Sequence, residues 1–389
     1  MKRYSRLLAV LAVLGLVLAA CSPSGSDETT TTAGEAPATT EPPAATTTTG
    51  GDEATTTSAM AMPDAITACQ VTDTGGIDDK SFNQTAWKGV TDSIDAGYAT
   101  ADSDFLESQA DTDYVPNIQS FLDKGCDLII TVGFLLGDAT AQMAADNPDQ
   151  PFQIIDFAYD PAIDNVQGAV FGTTDAAFAA GYLAAGMTQT GVVATYGGIQ
   201  IPCGVTCFMD GFVYGVRYYN QENGTDVEVL GWNPETQTGT FTGDFENLDN
   251  GRNVTQAFVD EGADVILPVA GPVGEGSAAL AQELGNVWVI GVDADWFETL
   301  PQYEAQILTS VLKGLDVAVA TAIQDVANGT FQGGTRLYAI AEDGVGLGPI
   351  NSTVAQEMQD AVAGVIDGLK DGSLVACDMA EGASDSCAG

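Results

Sequence analysis

From residue 66 onward, short apolar runs rich in β-branched residues alternate with stretches whose apolar positions recur every three or four residues. ACQVTD (68–73) reads as a strand. SFNQTAWKGVTDSIDAG follows as an amphipathic helix, with Phe82, Ala86, Val90 and Ile94 on one face. DLIITVG (127–133) and FQIIDF (152–157) are continuous apolar runs of the kind that parallel sheets bury on both faces. Between them LLGDATAQMAADN reads as a helix ended by Asn147-Pro148. The rhythm then repeats. VVATYG (192–197), DVEVLGW (226–232), DVILPVAG (264–271) and NVWVIGVD (286–293) read as strands. TDAAFAAGYLAAGM, CFMDGFVYGVRYYNQ, NGRNVTQAFVDEG and EGSAALAQELG are the helical patterns around them. QILTSVL leads into a helix over LKGLDVAVATAIQDVANG, and the last long helix is NSTVAQEMQDAVAGVIDGLKDG. Strands alternating with helices predict an α/β fold with parallel sheets.

KGCDLII (124–130) and EGADVIL (261–267) have one shape: a charged residue, Gly, a small residue, Asp, then an apolar strand, each after an amphipathic helix. This predicts two lobes on one plan. Ligands of open parallel sheets sit beyond the carboxyl ends of the strands, so two facing sheets would share one cleft. The strand ends carry Asp73, Gly133-Phe134, Asp156, Gly197-Gly198, Ala270-Gly271 and Asp293. Carboxylates there accept hydrogen bonds from hydroxyl or N–H donors, and such bonds are strong once water is excluded.

The N-terminal segment has a different pattern. Lys2, Arg3 and Arg6 precede an apolar run from Leu7 to Leu18, shorter than a bilayer span, and then Leu18-Ala19-Ala20-Cys21. This resembles a bacterial lipoprotein signal over residues 1–20 with Cys21 as the lipidated residue; an ordinary secretory signal is the alternative. Residues 21–65 are dominated by Thr, Ala, Pro, Glu, Ser and Gly, a composition expected to stay a disordered tether. An exported, lipid-anchored protein on the outer side of the cell membrane is the expected localisation.

Charge and composition remove several classes of function. The chain has 54 acidic and 11 basic residues, a net charge of −43, which disfavours nucleic acid and anionic membrane surfaces as electrostatic partners. There is no histidine. Ser-His-Asp and Cys-His nucleophiles and His-held zinc or haem are therefore excluded. Phosphate-loop, nucleophile-elbow and strand-linked GxGxxG motifs are also missing, and no catalytic residue, cofactor or metal is expected. Besides Cys21, six cysteines form an even set for an oxidising compartment. The pairing expected is Cys69 with Cys126 at the starts of two adjacent strands, Cys203 with Cys207, and Cys377 with Cys387.

TDTGGIDDKSFNQTAWKG, KGCDLIITVGF, IIDF, FAAGYLAA, EGADVILPVAGPVG, VIGVDAD and LTSVLKGLDVAV occur in that order over about residues 67–327. Together they resemble the BMP (basic membrane protein, PnrA-like) family, lipoproteins that include purine-nucleoside receptors feeding ABC transporters. The resemblance implies a two-lobed type I periplasmic-binding-protein fold with three chain crossings. Lobe 1 would hold residues 66–171 and about 297–345, lobe 2 residues 172–296 and about 346–375, with 376–389 as a tail. It also implies roles: Asp73 and Asn83 hydrogen-bond a base, Phe82 stacks on one face of it, and Phe241 stacks on the other. Asp156, Gly271, Asp293 and Lys313 would surround the ribose, and Phe134, at the end of its strand, is a further ligand-binding candidate.

Alternatives stay open at several positions. Phe82 could be the first core residue of its helix and Asn83 only a first-turn residue. Phe241 competes with Phe245, because GTFTGDFENLDNG departs from the family pattern. IPCGVTCF (201–208) is a second departure, which places any ligand contact from that loop in question. Lys80 is expected to pair with Asp78 or Asp79, and Trp87 and Trp296 to be packing or rim residues. The function expected is a monomeric nucleoside-binding lipoprotein, acting with an ABC permease and the membrane through its lipid. A sugar- or polyol-binding protein, a sensor of the same fold and a carboxylate-based nucleoside hydrolase are the alternatives.

Overall fold

The computed structural model describes residues 63–381. The signal region, Cys21, most of the tether and Cys387 lie outside the described residues. Strands β1 (Ala68–Thr72), β2 (Asp104–Leu106), β3 (Leu128–Val132), β4 (Phe152–Ile155) and β5 (Val166–Phe171) build the first sheet. The second uses β6 (Val192–Gly197), β7 (Glu228–Leu230), β10 (Val265–Val269), β11 (Trp288–Asp293) and β12 (Ile307–Lys313). A hairpin of β8 (Trp232–Asn233) and β9 (Thr238–Gly239) stands apart. Late in the chain, β13 (Gly334–Tyr338) joins the first sheet and β14 (Val345–Leu347) joins the second. The orders are β13-β5-β4-β3-β1-β2 and β14-β12-β11-β10-β6-β7, with β14 antiparallel to β12 and every other pairing parallel.

The strands form where continuous apolar runs can be buried on both faces. All five residues of β3 and all five of β10 are buried. Each such Leu, Ile or Val contributes about 1.5–3 kcal/mol relative to exposure. Helices α1 (Phe82–Asp95), α2 (Tyr114–Lys124) and α3 (Gly137–Asp146) flank the first sheet. On the second lie α4 (Thr173–Met187), α5 (Thr206–Asn223), α6 (Leu248–Asp260), α7 (Val273–Leu284) and the short α8 (Trp296–Thr299). Helix α9 (Leu315–Ala327) packs on α1, and α10 (Gln356–Asp371) on α4. The small residues of FAAGYLAA belong to the α4–α5 contact: a Cβ on Gly181 would stand 2.1 Å from the Phe212 carbonyl oxygen.

The chain passes between the sheets three times, after β5, after β12 and between β13 and β14. These crossings are tied together. Gly172 N donates to Tyr338 O at 3.0 Å, and Gly314 N donates to Gly344 O at 2.9 Å. The second crossing differs from the expected boundary. Residues 307–313, expected in lobe 1, pair along β11 and complete the second sheet, so the return to the first lobe comes at Lys313–Leu315. The tail also differs, since Ala376–Met379 forms a 3-10 turn packed on α5 with Ala376 buried.

Cys69 in β1 is bonded to Cys126, two residues before the adjacent β3, and Cys203 is bonded to Cys207. Cys377 lies in the 3-10 turn, and its expected partner Cys387 falls outside the described residues. No helix among the described residues is long and apolar enough to cross a membrane.

Candidate functional site

The carboxyl ends of β1, β3, β4, β10, β11 and β12 converge on a cleft with about 590 Å³ of free space, counting the part open to solvent. Both lobes supply its walls, as facing parallel sheets require.

Four carboxylates line the cleft: Asp73, Asp79, Asp156 and Asp293. Asp73 follows β1 and leans over Gly133, where a Cβ would lie 1.8 Å from Asp73 Oδ2. Glycine is needed twice there, because its φ of +122° is also hostile to a side chain. Asp156 and Asp293 both adopt left-handed backbone, with φ of 63° and 67°. Such conformations cost about 1–3 kcal/mol and collect at binding sites.

Lys313 is the cation among these acids. Its side chain is 1% exposed and its Nζ pairs with Asp156 Oδ2, joining the end of β12 in one lobe to the end of β4 in the other. Ser81 makes a second bridge, donating to Asp293 Oδ2 at 2.8 Å and to Val292 O at 3.2 Å. Burial pushes the Asp73 carboxyl well above the usual range; Asp79 and Asp156 add repulsion, and a hydrogen bond from Asn83 opposes it. Burial likewise raises Asp156 and Asp293, against the pull of Lys313.

The loop between β1 and α1 is organised by Asp79. Its Oδ1 accepts from Ser81 N and Gln84 N, both at 3.0 Å, and its Oδ2 accepts from Asn83 N at 2.8 Å. An acid at this end satisfies N–H groups that the first helical turn leaves unpaired. Burial still outweighs those bonds and lifts the Asp79 carboxyl to about 6. The cap fixes Phe82 and Asn83 at the cleft. Asn83 Nδ2 donates to Thr74 O at 3.1 Å, while its buried Oδ1 has no hydrogen-bond partner within the protein. A buried acceptor without a donor is costly unless something supplies one.

Aromatic rings complete the walls. The Phe82 ring is half-buried, with Lys313 Nζ 5.0 Å from its centroid and 5.5 Å from that of Phe208. Phe245 enters from the second lobe over Gly198, where a Cβ would lie 2.4 Å from its ring. Phe134 packs on Phe157 at 5.1 Å between centroids. The cleft therefore offers flat apolar faces beside a rim of acceptors and one ammonium.

A family model described as ABC transporter substrate-binding protein PnrA-like matches residues 66–369. The chain belongs to this family. A Lactococcus lactis relative, "ABC transporter nucleoside-binding protein BmpA", is 31% identical over 331 residues, covering 79% of this chain and 88% of that protein. The "CD4+ T-cell-stimulating antigen" of Listeria monocytogenes is also 31% identical, over 325 residues, covering 79% of this chain and 87% of the relative. Among solved structures, a solute-binding protein of an ABC transporter system from Aeropyrum pernix superposes with a TM-score of 0.69. It is 26% identical and covers 80% of this chain and 92% of that one. The type I periplasmic-binding-protein fold expected from the sequence is the fold observed.

Within this PnrA-like protein, Asp73, Phe82, Asn83, Phe134, Asp156, Gly271, Asp293 and Lys313 line the one cleft. Phe241 does not line it. Its ring meets Trp232 edge-on at 5.8 Å and packs over Gly197, and Phe245 takes the cleft position instead. The reason is local: residue 241 forms a bridge with Gly197 that holds it against the second sheet. Lys80 is exposed and forms no ion pair with Asp78 or Asp79, because Asp79 is turned inward to the helix. Trp296 is buried under α7, and Trp87 packs edge-on against Phe105. The loop over 201–208 does reach the cleft through Ile201, Gly204, Val205 and Phe208. Thr74, Asp79, Val269, Pro272 and Val292 line it as well without having been expected there, and for Asp79 the signal is an acid two residues ahead of a Ser-Phe-Asn helix entry.

Proposed function

We propose that the cleft captures a purine nucleoside, and that the protein, lipid-anchored at Cys21 outside the cell membrane, delivers it as a monomer to an ABC permease. The observation that carries this reading is the pairing of Phe82 and Phe245 with the buried acids of facing strand ends in one cleft. A flat heterocycle suits the rings, since stacking of a base on an aromatic side chain is worth roughly 1–3 kcal/mol. Asp73 accepts from the N–H edge of guanine or hypoxanthine, and the unpartnered Oδ1 of Asn83 takes a further donor. Asp156, Asp293 and Lys313 hold the sugar hydroxyls. Closure of the lobes about the three crossings retains the ligand, which stabilises the closed state by its preference for it. The name of the lactococcal relative supports the same ligand class.

Calorimetric titration with inosine, guanosine and ribose tests this directly. Micromolar binding of a nucleoside and much weaker binding of ribose is the expected result. Ribose bound as tightly as inosine, or hypoxanthine released from inosine at enzyme-like rates, would overturn it.

A further inference from the structure

The segment Ile201–Phe208 supplies four of the cleft-lining residues, and a disulfide closes it on itself. Ile201, Gly204, Val205 and Phe208 face the cleft, while Cys203 is exposed and Cys207 is buried. A Cβ on Gly204 would lie 3.6 Å from Asp156 Oδ2, which places this loop of the second lobe against the acid of the first. Cys203 has a φ of 54°, in the left-handed region. The turn it makes lies immediately ahead of α5, and its N–H donates to Thr206 Oγ1 at 3.0 Å. Three further bonds, Gly204 N to Pro202 O and both Val205 N and Thr206 N to Ile201 O, are confined to the loop. The disulfide is therefore the covalent element that holds this wall in shape.

We propose that the Cys203–Cys207 disulfide is a positioning element of the cleft wall, making ligand affinity depend on its redox state. The proposal rests on the nucleoside-binding reading for its choice of ligand only. A loop held in its bound shape avoids an ordering cost when ligand enters. The reaction is thiol–disulfide exchange with an external dithiol. One thiolate of the dithiol attacks Cys203 Sγ and forms a mixed disulfide, and Cys207 leaves as a thiolate and takes up a proton. The second thiol of the dithiol then displaces Cys203, so two cysteine thiols and one oxidised dithiol result. Exposure makes Cys203 the accessible sulfur. Cys69 and Cys126 are both buried, so their bond is shielded from the same reagent.

The test treats the intact protein with graded dithiothreitol, alkylates the thiols and maps the labelled peptides. Cys203 and Cys207 are expected to be labelled before Cys69 and Cys126; the reverse order would overturn the assignment. Inosine affinity should fall roughly tenfold in the selectively reduced protein and in Cys203→Ser/Cys207→Ser alike. Unchanged affinity in both would sink the proposal, and the reduced wild type decides the matter if the double variant does not fold. Amide hydrogen exchange over residues 201–208, measured without ligand, should quicken on reduction. If the oxidised protein binds no nucleoside, that result counts against the ligand reading, and the exchange rates still decide this one: no change in them would overturn it.

Discussion

Asp156 and Asp293 stand at the same place in two sheets. One follows β4, the other ends β11, and these strands hold matching positions in the orders β5-β4-β3-β1-β2 and β12-β11-β10-β6-β7. Both residues turn through left-handed backbone and aim a carboxylate at the cleft. Lys313 bonds the first, and Ser81 donates to the second. The symmetry ends at the β1 and β6 tips, where Asp73 on one side faces a Gly197-Gly198 pair on the other. Acid in one lobe and room for an aromatic ring in the other make the two ends of the cleft chemically different.

The unequal partners of the matched acids lead to different outcomes on neutralisation. Asp156→Asn leaves a buried ammonium with less counter-charge, and breaking a buried pair costs about 3 kcal/mol. Thermal unfolding should therefore fall clearly for Asp156→Asn. Asp293→Asn removes a like charge from an acid-rich cleft and keeps an oxygen for Ser81, so its unfolding temperature should stay near the wild-type value. Titration should nonetheless show inosine affinity reduced at least tenfold for Asp293→Asn, because a charged acceptor for sugar hydroxyls is lost. Equal behaviour of the two variants in both measurements would contradict the division of roles.

The aromatic positions separate in the same way. Phe82→Ala and Phe245→Ala should each lower nucleoside affinity by roughly 5- to 150-fold, the equivalent of 1–3 kcal/mol of stacking. Phe241→Ala should chiefly lower stability, through its lost contact with Trp232 and Gly197. Calorimetry alongside thermal unfolding of the three variants checks this; a larger affinity loss for Phe241→Ala than for Phe245→Ala would return Phe241 to the site.

Much of this arrangement was legible in the chain, for physical reasons. Strands buried on both faces are written as unbroken apolar runs, and the residue after such a run lies at a parallel sheet's ligand edge. That is why Asp73, Gly133, Asp156, Gly271 and Asp293 could be read as a set. Phe245 could not be separated from Phe241, because residues 240–247 have no period and a bridge to Gly197 decides which ring turns inward. The sheet that owns β12 was equally hidden, since an apolar strand pairs as well with either lobe and only the crossing at Gly314 settles it. The burial of Asp79 was masked by its charged neighbours, since Asp78 is the same residue type and both Asp78 and Lys80 stay in solvent.

Glycine substitutions test the close approaches independently of charge. Gly133→Ala would place a methyl group 1.8 Å from the Asp73 carboxylate at a φ of +122°, so the acid and the β3 tip must both move. Gly198→Ala would instead drive Phe245 aside, from a distance of 2.4 Å. Both should weaken inosine binding, with the larger loss of unfolding temperature at Gly133, where backbone strain adds to the clash. Retained affinity in Gly133→Ala would show that Asp73 does not contact the ligand.

The pH dependence of the ligand-free protein follows from Asp79. Its carboxyl titrates near 6 in the folded cleft, above the ordinary value of about 3.9 for an unfolded aspartate. Between those values the folded chain holds the extra proton, so stability falls as pH rises through that window and is flat for this group above it. The shift corresponds to about 2–3 kcal/mol. Asp73 and Asp293 are raised as well and act in the same direction. At constant ionic strength the unfolding temperature should therefore be higher at pH 5 than at pH 7.5. Asp79→Asn should lower the temperature at pH 5 by weakening the helix cap, and should flatten the difference between the two pH values. An undiminished slope in Asp79→Asn would mean that the capping carboxylate is already ionised at pH 5, with the remaining acids responsible for the whole effect.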